Sequence, residues 1–166
     1  DVAFADEPEF IQYAAKCLSW WGKIRNRSKR LCRVHGDYHP GNIVFDSDRC
    51  TLLDRSRGAW GEAADDVACL ALNYIHYAIK QCEDFRGPFS ELFEMFLQRY
   101  LKVSGDSDML TLIQPFFAFR VLVTANPGFY PNDTTATKRK LLNFGASVLE
   151  TEIFDPSSIA EYMIRG

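Results

Sequence analysis

Within one short stretch, His35-Gly36-Asp37-Tyr38-His39-Pro40-Gly41-Asn42, the chain sets a carboxylate, a carboxamide and imidazoles among glycine and proline. A further carboxylate, Asp54, follows two short apolar runs, Ile43-Val44-Phe45 and Thr51-Leu52-Leu53. Hard oxygen donors of this kind suit Mg²⁺, which is usually held by about one or two carboxylates together with phosphate and water. Phosphoryl transfer asks little covalent chemistry of a protein; it needs an aligned acceptor hydroxyl and cations bridging the phosphate oxygens. Asn42 and Asp54 could supply the metal-ligating oxygens, and Asp37 a group that orients or deprotonates the acceptor. Taken singly, Asp37 and Asn42 would be ordinary turn residues beside glycine and proline. Their joint spacing with Asp54 is what points to chemistry. A second chemistry is open to His35, Asp37 and His39, because alternate residues of an extended segment point the same way and could hold Zn²⁺ in a metal-dependent hydrolase. Pro40 and Gly41 imply a loop there, however, and His76 is the only other histidine in the chain.

The step of five from Asp37 to Asn42, with an acid following across a hairpin, has the spacing of the protein-kinase catalytic loop and its metal-binding aspartate. With Gly36 and the form His-Gly-Asp-x-His-Pro-Gly-Asn, the segment resembles the aminoglycoside phosphotransferases, choline kinases and related small-molecule kinases. The stretch Gly61-Glu62-Ala63-Ala64-Asp65-Asp66-Val67-Ala68 is similar to the glycine-to-aspartate segment of the same group, with Asp66 matching its final acid. The resemblance implies an ATP-dependent kinase that phosphorylates a hydroxyl of a small molecule. It makes Asp37 the catalytic base, Asn42 and Asp54 the Mg²⁺ ligands, and His35 and Asp66 structural supports of the loop. His39, Arg55, Arg57 and Glu62 are candidates for contacts to substrate or phosphate. The chain departs from the pattern at Arg55-Ser56-Arg57, where these kinases often carry an aromatic or a Phe-Gly pair. Those arginines either stabilise phosphate or an anionic acceptor, or lie in a solvated loop paired with Glu62 or Asp65. The resemblance is sharp over about 35–68, and residues 69–166 name no acceptor.

A mainly helical chain must position these groups. After Pro8, the residues Phe10, Ala14, Cys17, Leu18 and Trp21 fall on one stripe and predict a helix over about 8–30, ending in a solvated basic run, Lys23 to Arg30. The two apolar runs predict a hairpin at 43–54 as the only sheet. From Glu62 the apolar period becomes helical and predicts a helical subdomain over 62–164. Pro115 is placed to kink or split one of its helices, and Asn126-Pro127-Gly128 to stop it. Ser158-Ile159-Ala160-Glu161 reads as a capping box for a short last helix. His76 is expected to be a partly buried packing residue. The expected fold is mainly α with a small β-hairpin, the C-terminal lobe of a protein-kinase-like fold. One domain would span 1–166, with the catalytic loop at 35–42.

The chain has 166 residues, 47% of them apolar and 14% aromatic, enough to bury one core. Its 19 basic and 22 acidic residues are mixed along the sequence, net charge −3, which leaves no electrostatic footprint for nucleic acid and no polybasic patch for a membrane. The scattered Cys17, Cys32, Cys50, Cys69 and Cys82 form no Cys-x-x-Cys pair and read as reduced thiols of a cytoplasmic protein. No apolar run approaches the ~20 residues a membrane span needs. No glycine-rich phosphate loop and no strand lysine with a partner glutamate precede His35. The sequence therefore predicts that the N-terminal ATP-binding lobe is absent, that the fragment alone is inactive, and that an exposed interlobe face invites self-association. A kinase-like binding module without catalysis is the remaining alternative class.

Overall fold

Pro8 opens the first helix, α1 (Pro8–Ile24), at a position where its missing N–H costs nothing. In the computed structural model, which describes residues 8–55 and 57–164, four short strands follow: β1 (Leu31–Arg33), β2 (Ile43–Asp46), β3 (Arg49–Leu52) and β4 (Trp60–Glu62). Helices α2 (Ala63–Cys82), α3 (Pro88–Ser104), α4 (Gln114–Thr124), α5 (Thr135–Val148) and α6 (Ile159–Tyr162) complete the described chain. The expectation of a mainly helical protein with a small antiparallel β-element holds.

The hairpin is β2 with β3, in the register Ile43↔Leu52 to Asp46↔Arg49. It is not the only sheet. β1 and β4 form a second antiparallel ribbon, pairing Leu31 with Glu62 and Arg33 with Trp60. Each of those strands is three residues long, too short for alternation to register in the sequence. Gly61 permits their approach to the loop, since a Cβ there would sit 3.0 Å from Val34 Cγ2.

Helix α2 forms the centre of the core. Twelve of its twenty residues are buried, and a helix apolar on nearly all sides must be wrapped by others. Its Ala68, Ala71, Leu72 and Ile75 pack with Phe93 and Leu97 of α3, Phe117 and Val121 of α4, and Phe144 of α5. Phe117 meets Phe144 edge-on at 5.3 Å and Phe154 at 5.0 Å, geometries that suit the ring quadrupoles. Because α2 begins directly after β4, its first turn is fixed on one side by this core and on the other by the ribbon.

Several expectations need correction. Helix α1 stops at Ile24, not near 30, and buries a different face. Tyr13 and Trp20 are inside, whereas Leu18 and Trp21 are 71% and 58% exposed. The choice is made by polar tips: Tyr13 Oη donates to the Ala118 carbonyl at 2.8 Å and Trp20 Nε1 to the Leu149 carbonyl at 2.9 Å. Arg30 is not a solvated helix end. Its guanidinium donates to both oxygens of Glu62 and both of Asp106. Pro115 kinks no helix; the predicted stripe is split just before it, into the 3-10 turn Met109–Thr111 and α4, in whose first turn Pro115 lies. The capping box does not form, because Ser158 Oγ donates instead to Asp155 Oδ2 at 2.9 Å.

His76 is also more than a packing residue. It is fully buried, its Nε2 lies 2.5 Å from Asp133 Oδ2, and Lys80 Nζ holds the other oxygen of Asp133 at 2.8 Å. Burial pushes the His76 pKa below its ordinary value despite Asp133, since a second ring proton would sit on Nδ1, which has no partner among the described residues. A histidine depressed in the folded state takes up its proton first in the unfolded chain, so stability falls as pH drops below about 6.5. The expected slope is at most about 1.4 kcal/mol per pH unit. Urea midpoints between pH 7.5 and 5 should show it in the parent protein and not in His76→Gln.

No described helix is long and apolar enough to cross a membrane, and all five cysteines are free thiols.

Candidate functional site

The loop after β1 is anchored before it is functional. Asp66, in the first turn of α2, accepts the backbone N–H of His35 at 2.7 Å on Oδ2 and that of Gly36 at 2.8 Å on Oδ1. Gly36 is needed because the chain turns there through φ +83°, a conformation that side chains disfavour. His35 is buried and uses both ring nitrogens, Nε2 on the Leu53 carbonyl at 2.7 Å and Nδ1 as acceptor from Asp37 N–H at 3.3 Å. That pairing places the proton on Nε2. His39 Nδ1 accepts from Gly41 N–H at 3.1 Å and so caps the 3-10 turn Pro40–Asn42.

Backbone pairing then gathers the oxygen donors. Leu53 N–H donates to the Asn42 carbonyl at 2.9 Å, which carries the hairpin pairing one step beyond Ile43↔Leu52. Asp54 therefore emerges beside the Pro40–Asn42 turn. Asn42 Nδ2 donates to the Asp37 carbonyl at 3.0 Å, which ties the turn to Asp37 and leaves its Oδ1 for another partner. Asp54 has φ +52° and is exposed, and among the described residues its carboxylate has no hydrogen bond. A carboxamide oxygen and a free carboxylate at one hairpin end are a donor set that Mg²⁺ accepts alongside phosphate and water. They fit that ion.

The Asp37 carboxylate is held from both sides. Arg120 Nη1 donates to Oδ1 at 3.2 Å, and Arg57 Nη2 lies 3.2 Å from Oδ2. Arg120, on α4, carries no motif, and its side chain is 7% exposed against 61% for Arg57. Burial raises the Asp65 pKa even though Arg120 Nε donates to it at 3.0 Å. On the next turn of α2, burial pushes the Cys69 thiol up to about 12, so no thiolate nucleophile is offered here.

Other candidates are drawn elsewhere. Both oxygens of Glu62 accept from Arg30, at 3.0 and 2.8 Å, which removes it from the expected contacts to substrate or phosphate. Hydrogen bonds to Asp106 and Glu62 raise the Arg30 pKa further, so the cluster stays charged. Arg55 Nε donates to the Val34 carbonyl at 3.0 Å, and neither it nor Arg57 pairs with Glu62 or Asp65. Zinc ligation by His35, Asp37 and His39 is not supported: both nitrogens of His35 and one of His39 are committed to backbone groups. An open groove of about 650 Å³ behind the loop is walled by Tyr38, Leu52, Phe96 and Tyr100. Asp37, Asn42 and Asp54 do not line it.

Removing the Asp66 carboxylate should loosen the whole loop. Asp66→Ala leaves two N–H donors unpaired and is expected to cost about 3 kcal/mol, read as a lower urea midpoint together with faster amide exchange at His35 and Gly36.

The model of a phosphotransferase enzyme family matches residues 1–107. That match covers the loop, the hairpin, α2 and α3. It agrees with the resemblance to aminoglycoside phosphotransferases and choline kinases. No curated protein and no solved structure matches the chain.

Proposed function

Since the chain belongs to the phosphotransferase enzyme family, we propose that it is the C-terminal lobe of a kinase-like fold that moves the γ-phosphoryl group of ATP to a hydroxyl of a small molecule. The observation that carries this reading is the junction at the hairpin end. Asn42 bonds the Asp37 carbonyl through its side chain and Leu53 through its backbone, with Asp54 next in line.

Asp37 is the base in this reading. It takes the proton of the acceptor hydroxyl as that oxygen bonds to the γ-phosphorus, and the bond to the bridging β–γ oxygen breaks to release ADP. Asn42 Oδ1 and the Asp54 carboxylate would hold Mg²⁺, which would supply positive charge to the phosphate oxygens. His35 and Asp66 work through the loop: one fixes Leu53 and Asp37, the other the two amides before Asp37. Arg57, exposed beside Asp37, would meet phosphate or an anionic acceptor.

The hairpin supplies a second part of the reading. Val44, Phe45, Leu52 and Leu53 are 43%, 74%, 48% and 46% exposed, a concentration of apolar surface that suits a covering lobe over the nucleotide. Without that cover the phosphates would face water, where electrostatic stabilisation is weak. The domain by itself is therefore expected to fold without catalysing transfer, and to self-associate through these exposed apolar side chains. Free cysteines throughout fit a reducing, cytoplasmic setting.

The test is transfer of label from γ-³²P-ATP with Mg²⁺ to a panel of small alcohols, amino alcohols and sugars by the full-length protein. Label should enter one chemical class of acceptor in the parent and none in Asp37→Asn. Equal labelling by both proteins would overturn the assignment of the base.

A further inference from the structure

Arg120 interrupts an otherwise apolar run, Phe116-Phe117-Ala118-Phe119-Arg120-Val121-Leu122-Val123. A guanidinium buried among such neighbours is costly unless its planar fork is paired. Here the whole fork is used. Nη1 donates to Asp37 Oδ1 at 3.2 Å, Nη2 to the Gly36 carbonyl at 2.9 Å, and Nε to Asp65 Oδ1 at 3.0 Å. Nη2 also lies 2.8 Å from Asp65 Oδ1. One rigid group thus joins α4 to the first turn of α2 and to the loop.

Charge crowding gives that group a task. Asp37, Asp65 and Asp66 gather at the start of α2, and the first and last of them both disfavour the charge on Asp65. Asp66 is already committed to two backbone amides. Arg57, the other cation on Asp37, is mostly in solvent, where an ion pair contributes little. The buried positive charge comes from Arg120.

We propose that Arg120 is the positioning residue of Asp37. It sets the carboxylate through Nη1 and the backbone before it through the Gly36 carbonyl, so the seating of α4 on the core determines how Asp37 faces the acceptor. Its functional part rests on the reading of Asp37 as the base; the coupling itself is measurable without turnover.

The experiment is a double-mutant cycle of urea midpoints with Asp37→Asn and Arg120→Gln. In the parent, Asp37→Asn should lower the midpoint, because Arg120 exchanges a charged acceptor for a neutral one. In the Arg120→Gln background it should raise the midpoint, because it relieves repulsion with Asp65. The same change in both backgrounds would overturn the proposal. Should Arg120→Gln not fold, Arg120→Lys serves, since it keeps the charge but not the fork; the penalty of Asp37→Asn should shrink there, and an unchanged penalty overturns the proposal. A second readout is ADP release from MgATP with water as acceptor by the full-length protein. Arg120→Lys should lower kcat by about 10²-fold, the scale of a displaced catalytic group, with KM for ATP unchanged. A raised KM at constant kcat would contradict positioning. A parent protein that releases no ADP would show that water is not an acceptor; the phosphotransferase reading is tested by the labelled-acceptor panel, and the stability cycle decides the coupling.

Discussion

Asp37→Asn is expected to reduce phosphoryl transfer from ATP by about 10²–10⁴-fold, the usual contribution of a general base, while the fold survives. Asparagine keeps the size of the side chain and can still accept from Arg120, but it cannot take the acceptor proton. The loop should keep its shape, because its anchors are elsewhere: Asp66 on the amides of His35 and Gly36, His35 on the Leu53 carbonyl, Asn42 on the Asp37 carbonyl. Since Asp37 packs at the edge of the core and not within it, no cavity opens. The measurement is kcat and KM with saturating ATP, beside the far-ultraviolet circular dichroism of both proteins. A kcat within about threefold of the parent would exclude Asp37 as the base, because that is far below the contribution a base makes.

Asp54→Asn should act on the metal requirement. Outer-shell changes alone typically cost about 10–100-fold in metal affinity, and loss of a ligand charge should cost no less. The Mg²⁺ concentration for half-maximal activity is therefore expected to rise by at least about tenfold. Asparagine is the informative substitution because Asp54 sits at φ +52°, and asparagine tolerates that backbone whereas most residues do not. Any loss then reports charge and not strain. An unchanged Mg²⁺ dependence would remove Asp54 from the ligand set.

What could be read from the sequence was what is local in it. The loop 35–42, the hairpin and Asp66 lie within about thirty residues of one another, and chemistry restricted which residues could stand there. The long helices also declared themselves, because α2 and α3 carry apolar residues at helical spacing over many turns. Arg120 did not, since 83 positions separate it from Asp37. Its one signal was a cation inside an apolar helix, which implies a buried partner without saying which. Glu62 reads as available because the sequence does not show that Arg30, in the turn just before β1, is brought to it by the pairing of β1 with β4. The inward face of α1 is illegible in the sequence for a related reason. Leu18 and Trp21 are as apolar as Tyr13 and Trp20, and the choice was made by two distant carbonyls, on Ala118 and Leu149, that needed donors.

In the proposed function, Asn42 and Asp54 form one side of a metal–nucleotide site. Amide spectra of the ¹⁵N-labelled full-length protein, titrated with Mn²⁺ and ATP, test it without knowledge of the acceptor. Paramagnetic broadening should begin at Gly41, Asn42, Leu53 and Asp54, spread next to Asp37, and require ATP. The same titration of Asp54→Asn should need a much higher Mn²⁺ concentration for the same broadening. Broadening centred away from the hairpin end, or unaltered in Asp54→Asn, would contradict a metal site there.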